Sequence, residues 1–227
     1  MSAIESFSSR EALADAAADI LAGALGAADA RAFAAAGGST PGPVYDRLAR
    51  RDLEWGRLSV TVTDERWVDA ASDESNERLI RERLLVNEAA GAAFVALNGG
   101  HGAPKAEAAA AETRIRAILP FAAVLLGMGA DGHVASLFPG APGLEVGLDL
   151  DAPRLCLAVE KAGLPPFVPR ISLTARALTQ TGLLLVLITG DDKHAVIERI
   201  GADPAYAPPA ATLLHQDRCP VRVLWAP

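Results

Sequence analysis

Residues 121–133 read FAAVLLGMGADGH, a continuous apolar run followed at once by a glycine-rich segment that carries Asp131 and His133. The run from Phe121 to Leu126 is typical of a strand buried on both faces of a parallel sheet. In such sheets, ligands bind in the loops at the carboxyl ends of the strands. This stretch therefore predicts a central parallel strand whose following loop carries function.

Predicted strands and helices alternate along the chain on both sides of this strand. Further strands are predicted over residues 30–36, 58–63, 94–97, 155–159, 183–189 and 221–225. Helices are predicted over residues 8–28, 41–51, 74–87, 105–119 and 191–200, the first with Ser8 as N-cap in a capping box with Glu11. The alternation predicts an α/β fold, with a doubly wound, mainly parallel sheet and helices on both faces. Because no repeat or low-complexity linker divides the sequence, residues 1–227 are predicted to form a single domain.

The composition argues against several classes of protein. The net charge is −7, and no cluster of lysine and arginine suggests a nucleic-acid partner. No apolar stretch reaches the length of about 18 residues that a membrane span needs. The first ten residues lack the pattern of a signal peptide, so a cytoplasmic location is predicted. The two cysteines, Cys156 and Cys219, are predicted to be separate buried thiols rather than a disulfide.

The segment Gly37-Gly38-Ser39-Thr40-Pro41-Gly42 lies between the strand predicted at 30–36 and the next predicted helix. Glycines let backbone N–H groups approach an anion closely, and the hydroxyls of Ser39 and Thr40 add donors. The segment therefore predicts a phosphate-binding loop. The alternative is an ordinary strand-to-helix turn in which Ser or Thr acts as the N-cap.

Three cationic side chains are candidates for the same anion. Arg66 follows the strand predicted at 58–63 and suits bidentate binding of a phosphate, although a local ion pair with Asp64 or Glu65 is the alternative. Lys193 lies at the start of a predicted helix, where a cation is disfavoured unless an anion is also present. The alternative there is a solvated lysine beside two aspartates. Arg170 is a further candidate.

The loop at residues 127–133 formally contains the GxGxxG pattern of dinucleotide-binding proteins. That interpretation is rejected because Pro139 and Pro142 soon interrupt the chain and because the pattern lies in mid-chain. The informative residues are His133, which suits a general base near neutral pH, and Asp131, which is placed to orient it. The alternative is a structural histidine.

Other catalytic signatures are missing from the sequence. There is no HExxH motif and no His/Cys cluster, so no metal is expected, and there is no GxSxG serine elbow. His101, His194 and His215 give no functional signal, and His101 is predicted to be a surface residue.

Several of these segments occur in the order in which they appear in the 6-phosphogluconolactonase family, and the chain resembles that family from about residue 30 to residue 225. The matching segments are Gly37-Gly38-Ser39-Thr40-Pro41, Asp64-Glu65-Arg66, Ser75-Asn76, Gly127 to Gly140 (GMGADGHVASLFPG), Arg170-Ile171-Ser172-Leu173-Thr174 and Gly190-Asp191-Asp192-Lys193. The resemblance implies a Rossmann-like fold shared with glucosamine-6-phosphate deaminases. It also implies hydrolysis of 6-phospho-D-glucono-1,5-lactone to 6-phospho-D-gluconate in the oxidative branch of the pentose phosphate pathway, without a cofactor.

The resemblance also implies roles for individual residues. His133 is the expected base that activates a water molecule, with Asp131 in support. Substrate binding is expected from Gly37, Gly38, Ser39, Thr40, Arg66, Arg170 and Lys193. The resemblance does not settle which donors stabilise the oxyanion, and on physical grounds the backbone N–H groups of residues 127–132 are expected to do so. The expected partner is a small phosphosugar lactone. The oligomeric state is left open, with a monomer as one option.

Two other functions compete with this one. A deaminase of glucosamine 6-phosphate would share the phosphate loop and the histidine, and the long segment from Gly127 to Gly140 favours the lactonase over it. A non-catalytic phosphosugar sensor would keep Ser39, Thr40, Arg66 and Lys193 but would not need His133. A nicotinamide-dependent dehydrogenase would bind its cofactor, and no such binding is expected.

Overall fold

The computed structural model describes residues 3–27, 29–100, 102–160 and 167–227. The expectation that His101 is a surface residue and the predicted end of the first helix at Ala28 lie outside these ranges.

Ten strands and eight α-helices make up the described chain. The strands are β1 (Ile4–Ser6), β2 (Ala32–Ala35), β3 (Ser59–Val62), β4 (Asp64–Arg66), β5 (Ala93–Phe94), β6 (Ala123–Leu126), β7 (Cys156–Val159), β8 (Arg170–Leu173), β9 (Leu184–Thr189) and β10 (Val221–Ala226). The helices are α1 (Arg10–Ala27), α2 (Gly42–Leu48), α3 (Asn76–Arg83), α4 (Pro104–Arg116), α5 (Leu144–Leu148), α6 (Ala175–Leu178), α7 (Asp191–Ala202) and α8 (Pro209–His215). Short 3-10 helices lie at Trp55–Arg57 and Asn87–Gly91.

The main sheet has seven strands in the order β1-β10-β9-β6-β2-β3-β5, and all of its pairs are parallel. Strand β3 pairs with one side of β2, and β5 pairs with β3. The chain then returns to β6 on the other side of β2 and continues through β9 to β10. Because crossovers between parallel strands are almost always right-handed, this reversal puts the helices of the two halves on opposite faces. The predicted α/β, doubly wound fold is confirmed, and its switch point lies between β2 and β6.

A second sheet was not predicted. It is antiparallel, with the order β4-β8-β7. The interpretation of residues 63–67 as a loop was wrong, because β4 begins only two residues after β3 ends and pairs with β8. The strand predicted at 155–159 exists as β7 but belongs to this small sheet. The pairing places the Cα atoms of Arg66 and Arg170 directly opposite each other.

Several predicted boundaries also shift. Helix α1 is capped by Ser9 and not by Ser8, since the Ser9 hydroxyl accepts from the Ala12 N–H at 3.2 Å. Helix α3 is shorter than the predicted 74–87, because Ser75 is its N-cap and the helix ends at Arg83. The strand predicted at 94–97 is reduced to β5. Strand β1 and helices α5, α6 and α8 were not predicted.

The core follows from the apolar strands and from small residues on the helices. Strands β2 and β6 are buried along their whole lengths. Ala17 and Ala18 of α1 are fully buried, and α1 packs against α2, where Arg47 and Arg51 form ion pairs with Asp15 and Asp19. No described helix is both long enough and apolar enough to cross a membrane.

The prediction of separate buried thiols is confirmed for both cysteines. Cys156 and Cys219 are buried and unpaired. Burial, with a further effect from Glu112, raises the pKa of the Cys156 thiol to about 12. This thiol is therefore protonated and poorly nucleophilic at neutral pH.

Candidate active site

A cavity of about 270 Å³ lies where the chain leaves β2, β3 and β6, at the switch point of the sheet. Every site residue predicted from the sequence lines it except Asp131, which lies behind His133. A larger cavity, of about 820 Å³, lies near the amino ends of the strands β2, β6 and β9. None of the predicted residues lines that second cavity. Because ligands of doubly wound sheets bind at the carboxyl ends of the strands, the smaller cavity is the candidate site.

The loop at residues 37–40 forms one wall of the cavity. Gly38 has a φ of +92°, which only glycine adopts readily. A Cβ on Gly37 would lie 2.0 Å from Oδ1 of the buried Asn76, so Gly37 must lack a side chain. At its start the loop is anchored by Tyr45, whose hydroxyl donates to the carbonyl of Ala36 at 2.6 Å. Burial raises the pKa of Tyr45 well above its usual value, which keeps the hydroxyl protonated as a donor.

The backbone N–H groups of this loop are free for a ligand. Within the described ranges, no protein group accepts a hydrogen bond from the N–H groups of Gly38, Ser39 or Thr40. Gly38 and Ser39 are exposed, so their N–H groups can be solvated by water and are available to an anion that enters the cavity. This arrangement suits the phosphate predicted from the sequence.

Arg66 and Arg170 bring two positive charges side by side at the cavity. Arg66 Nη1 donates to the carbonyl of Glu74 at 2.6 Å, and the guanidinium of Arg170 lies 5.5 Å from the ring centroid of Phe138. The Nε atoms of both arginines are buried and have no hydrogen-bond partner among the residues that the structure describes. Burial lowers the pKa of Arg170, and the charge of Arg66 lowers it further against the opposing effect of Asp64. An oxyanion bound here would relieve the repulsion and pair the open donors.

The alternative interpretation of Arg66 as one half of a local ion pair does not hold. The Glu65 carboxylate instead accepts from the N–H groups of Arg66, Asn76 and Glu77 and from the hydroxyl of Ser75, at distances of 2.7–3.1 Å. Burial raises the pKa of Glu65 against the effect of these hydrogen bonds. Glu65 thereby ties β4 to the start of α3.

Lys193 reaches the cavity from the first turn of α7. No carboxylate of the described chain forms an ion pair with it. The turn before α7 is held by Trp225, whose Nε1 donates to the carbonyl of Gly190 at 3.0 Å, and by the Gly190 N–H, which donates to Ala226 O at 3.0 Å. The ring of His194 packs on Trp225 with 4.4 Å between centroids. The end of β10 therefore fixes where Lys193 enters the site.

His133 and Asp131 form a hydrogen-bonded pair. The ring Nδ1 lies 2.6 Å from Asp131 Oδ1, and the same oxygen accepts from the His133 N–H at 3.1 Å. Burial alone would raise the pKa of Asp131, but the hydrogen bonds from His133 outweigh it and lower that pKa. An ionised carboxylate only accepts, so Nδ1 donates to it, and in the neutral form of the imidazole the free lone pair is then on Nε2.

The packing around His133 fixes the plane of its ring. The ring stacks on Phe138 at 4.2 Å between centroids with an angle of 30° between the planes. A Cβ on Gly129 would lie 2.2 Å from two atoms of the ring, so glycine at 129 makes room for it. Phe138 also contacts Arg170, which links the base to the cationic side of the cavity.

The cavity has further lining residues for which the sequence analysis proposed no role. They are Ala36, Pro41, Thr63, Asp64, Asn76, Ala135 and Leu187. Gly127, Met128 and Gly129, from the loop predicted to supply donors to the oxyanion, also line the cavity. Asn76 donates from Nδ2 to the carbonyl of Asp64 at 2.7 Å. The sequence places Asn76 directly after a serine that suits the N-cap of a helix, but it does not show that Asn76 contacts Asp64, because that contact depends on the fold. Among the described residues, no group of three or more His, Cys, Asp or Glu side chains is arranged to hold a metal ion.

Comparisons with known proteins show the family to which this chain is similar. The family model described as glucosamine-6-phosphate isomerases/6-phosphogluconolactonase matches residues 8–225. The chain is 50% identical over 227 residues to a 6-phosphogluconolactonase of Caulobacter vibrioides, in a match that covers 98% of this chain and 97% of the relative. It is 38% identical over 219 residues to a 6-phosphogluconolactonase of Rhizobium meliloti, covering 96% of this chain and 94% of that relative.

The fold comparison agrees with the sequence comparison. The crystal structure of a 6-phosphogluconolactonase from Shewanella baltica matches with a TM-score of 0.92 and 33% identity, covering 100% of this chain and 98% of that chain. The chain therefore belongs to the glucosamine-6-phosphate isomerase/6-phosphogluconolactonase family.

Proposed function

We propose that this chain hydrolyses 6-phospho-D-glucono-1,5-lactone to 6-phospho-D-gluconate, a step in the oxidative branch of the pentose phosphate pathway. The relatives reported above are lactonases by name, at up to 50% identity over nearly the full length. The observation that carries the mechanism is the pairing of His133 with Asp131 at the edge of a cavity that also holds Arg66, Arg170 and Lys193.

The proposed chemistry needs one base and no covalent intermediate. His133 Nε2 accepts a proton from a water molecule as the water oxygen attacks C1 of the lactone. The tetrahedral intermediate then expels the ring oxygen, which takes the proton back from Nε2 and becomes the hydroxyl on C5. Asp131 stabilises the transient imidazolium charge. A positioned general base of this kind contributes about 10²- to 10⁴-fold in rate.

Binding of the distant phosphate supplies the orientation. The open N–H groups of the loop at residues 37–40 and the cations of Arg66, Arg170 and Lys193 support a phosphate at the end of the cavity away from the base. Binding energy from a group that does not react is available to hold the lactone carbonyl in place. The phosphate therefore affects kcat as well as KM.

The oxyanion needs donors near the base. The backbone N–H groups of Gly127 and Met128 line the cavity and donate to no acceptor in the part of the chain that the structure describes. We assign them this role, since fixed backbone donors stabilise charge that develops in the transition state.

The test is lactone hydrolysis, followed by acid release, with the wild type and with His133→Ala. The variant should lose turnover by about 10²-fold or more. Its affinity for the product should stay within a few-fold, because the phosphate contacts remain. Unchanged turnover would end the catalytic assignment. Binding without turnover in the wild type would support the sensor instead, and ammonia release from glucosamine 6-phosphate would support the deaminase.

The setting of the enzyme is part of the proposal. Two free, buried cysteines suit a reducing compartment, and we propose the cytoplasm.

One core cluster runs from α1 to β10, which supports a single domain over residues 1–227. The proposed partner is the phosphosugar lactone alone, with no cofactor, nucleic acid or membrane. Size-exclusion chromatography with light scattering would test a monomer.

A further inference from the structure

A buried carboxylate, Asp64, lines a cavity that is otherwise suited to an anion. Asp64 is only 6% exposed and lies at the start of β4, two residues before Arg66. A negative charge beside an anion site opposes binding of that anion, and burial of a charge is costly unless partners compensate it. The position therefore calls for a function other than holding the phosphate.

The partners of Asp64 link three segments. Its Oδ2 accepts from the hydroxyl of Ser136 at 2.5 Å and lies 3.7 Å from Arg170 Nη1. Its Oδ1 lies 3.4 Å from the hydroxyl of Thr63, which donates to it. Asp64 also sits directly opposite Ser172 in the antiparallel pair of β4 and β8.

Ser136 is held at both its backbone and its side chain. It is fully buried, and while its hydroxyl donates to Asp64, its backbone N–H donates to the hydroxyl of Ser172 at 3.1 Å. The Ser172 hydroxyl in turn donates to the carbonyl of Leu173 at 3.0 Å. This hydroxyl network fixes Ser136 against strands β4 and β8 of the small sheet.

The residue before Ser136 has an unusual backbone. Ala135 has a φ of +49°, a conformation that residues with a Cβ rarely adopt, and it lines the cavity. The turn is closed by the Leu137 N–H, which donates to Val134 O at 2.9 Å. Such a conformation persists only where its surroundings hold it in place. The anchored residue that directly follows it is Ser136, three residues after His133.

We propose that Asp64 is a positioning residue with two separable effects, an inference that rests on the proposed lactonase function. Through Ser136 it holds the turn at residues 134–137, and thereby the place of His133 relative to the lactone carbonyl. Through its charge it offsets the repulsion between Arg66 and Arg170 and moderates the affinity of the cavity for anions.

Two variants separate these effects. Ser136→Ala removes the hydrogen bond to Asp64 but keeps the carboxylate. Asp64→Asn keeps an oxygen that accepts from Ser136 but removes the charge. Thr179→Ala is the matched control, because Thr179 is also buried and its hydroxyl donates to Ala175 O at 2.8 Å. Thr179 follows α6 and does not line the candidate site.

The measurements are kcat and KM for the lactone, the Kd of inorganic phosphate by calorimetry, and Tm. Ser136→Ala should lower kcat about tenfold or more, with the phosphate Kd within twofold of wild type, since one buried hydrogen bond to a charged group is lost. Asp64→Asn should tighten phosphate binding about threefold or more, with a smaller loss of kcat. Thr179→Ala should change Tm only.

Three results would overturn the proposal. One is wild-type kcat in Ser136→Ala, and another is unchanged phosphate affinity in Asp64→Asn. The third is a loss of kcat in Thr179→Ala equal to that in Ser136→Ala, which would reduce the effect to general destabilisation. The phosphate titration needs no turnover. A wild-type protein without lactonase activity would therefore refute the proposed function, while the effect of the Asp64 charge would still be measured.

Discussion

Replacement of Asp131 by Asn tests how the base is activated. The side chain keeps its size, and an amide oxygen can still accept from both the ring and the backbone N–H of His133, as the carboxylate does. What is lost is the negative charge. Hydrogen bonds to charged groups contribute about 1.5–3 kcal/mol and neutral ones about 0.5–1.5 kcal/mol. Because the Asp131 side chain is 51% exposed, solvent screens part of the difference, which leaves about 1–2 kcal/mol.

The lost free energy is the stabilisation that the Asp131 charge gives to the imidazolium as it forms in the transition state, about 1–2 kcal/mol by the comparison above. At 1.36 kcal/mol for each factor of ten, kcat for the lactone should fall about five- to thirtyfold. KM and the Kd of inorganic phosphate should change less than twofold, since Asp131 does not line the cavity. Because the pKa of Asp131 is lowered, the wild-type carboxylate is ionised at neutral pH, and kcat of the two proteins is compared there. Wild-type kcat, or a loss confined to KM, would refute the reasoning.

Three further predictions follow from local geometry. Gly129→Ala should lower kcat about tenfold with little change in Tm, because the new Cβ displaces the His133 ring from its carboxylate; full activity would show that the ring position does not matter. Trp225→Phe should weaken binding of inorganic phosphate severalfold in calorimetry, since the indole N–H that anchors the turn before α7 is lost; unchanged affinity would contradict this role. Asp46→Asn should destabilise the fold by about 0.5–1 kcal/mol at pH 7 in urea titrations, because its hydrogen bonds with Arg83 lower the pKa of Asp46. That contribution is present above the unfolded-state pKa and is lost as the pH falls through the lower folded value, so wild type and variant should converge in stability once the pH is below that folded value. A stability difference that does not shrink as the pH falls would refute the assignment.

The parts of the fold that the sequence predicts are those determined locally. The apolar run from Phe121 to Leu126 contains β6, and the run from Leu183 to Thr189 contains β9, since only a strand buried on both faces needs an unbroken stretch of this length. Strand β4 has only three residues, all of them charged, so its periodicity gives no signal. Its existence depends on pairing with β8, more than one hundred residues later. The capping-box pattern at the start of α1 selects Ser8, because Glu11 follows it three residues later, whereas the adjacent Ser9 caps the helix in the structure.

The same distinction applies to the site. Asp131 and His133 are two residues apart in a glycine-rich loop, so their contact is local and visible in the sequence. The Arg66–Arg170 pair depends on strand register, and the role of Asp64 depends on a hydrogen bond to Ser136 across 72 positions. The sequence therefore predicts a candidate base and the separate cations, but not the network that fixes their relative positions.

The most direct test is a crystal structure with the product 6-phospho-D-gluconate bound. The phosphate should lie against the loop at residues 37–40 and the cations of Arg66, Arg170 and Lys193. The C1 carboxylate should lie within about 3–3.5 Å of His133 Nε2, directly or through one water molecule. A product whose carboxylate points away from His133, or whose phosphate occupies the place beside the imidazole, would contradict the assignment of the base.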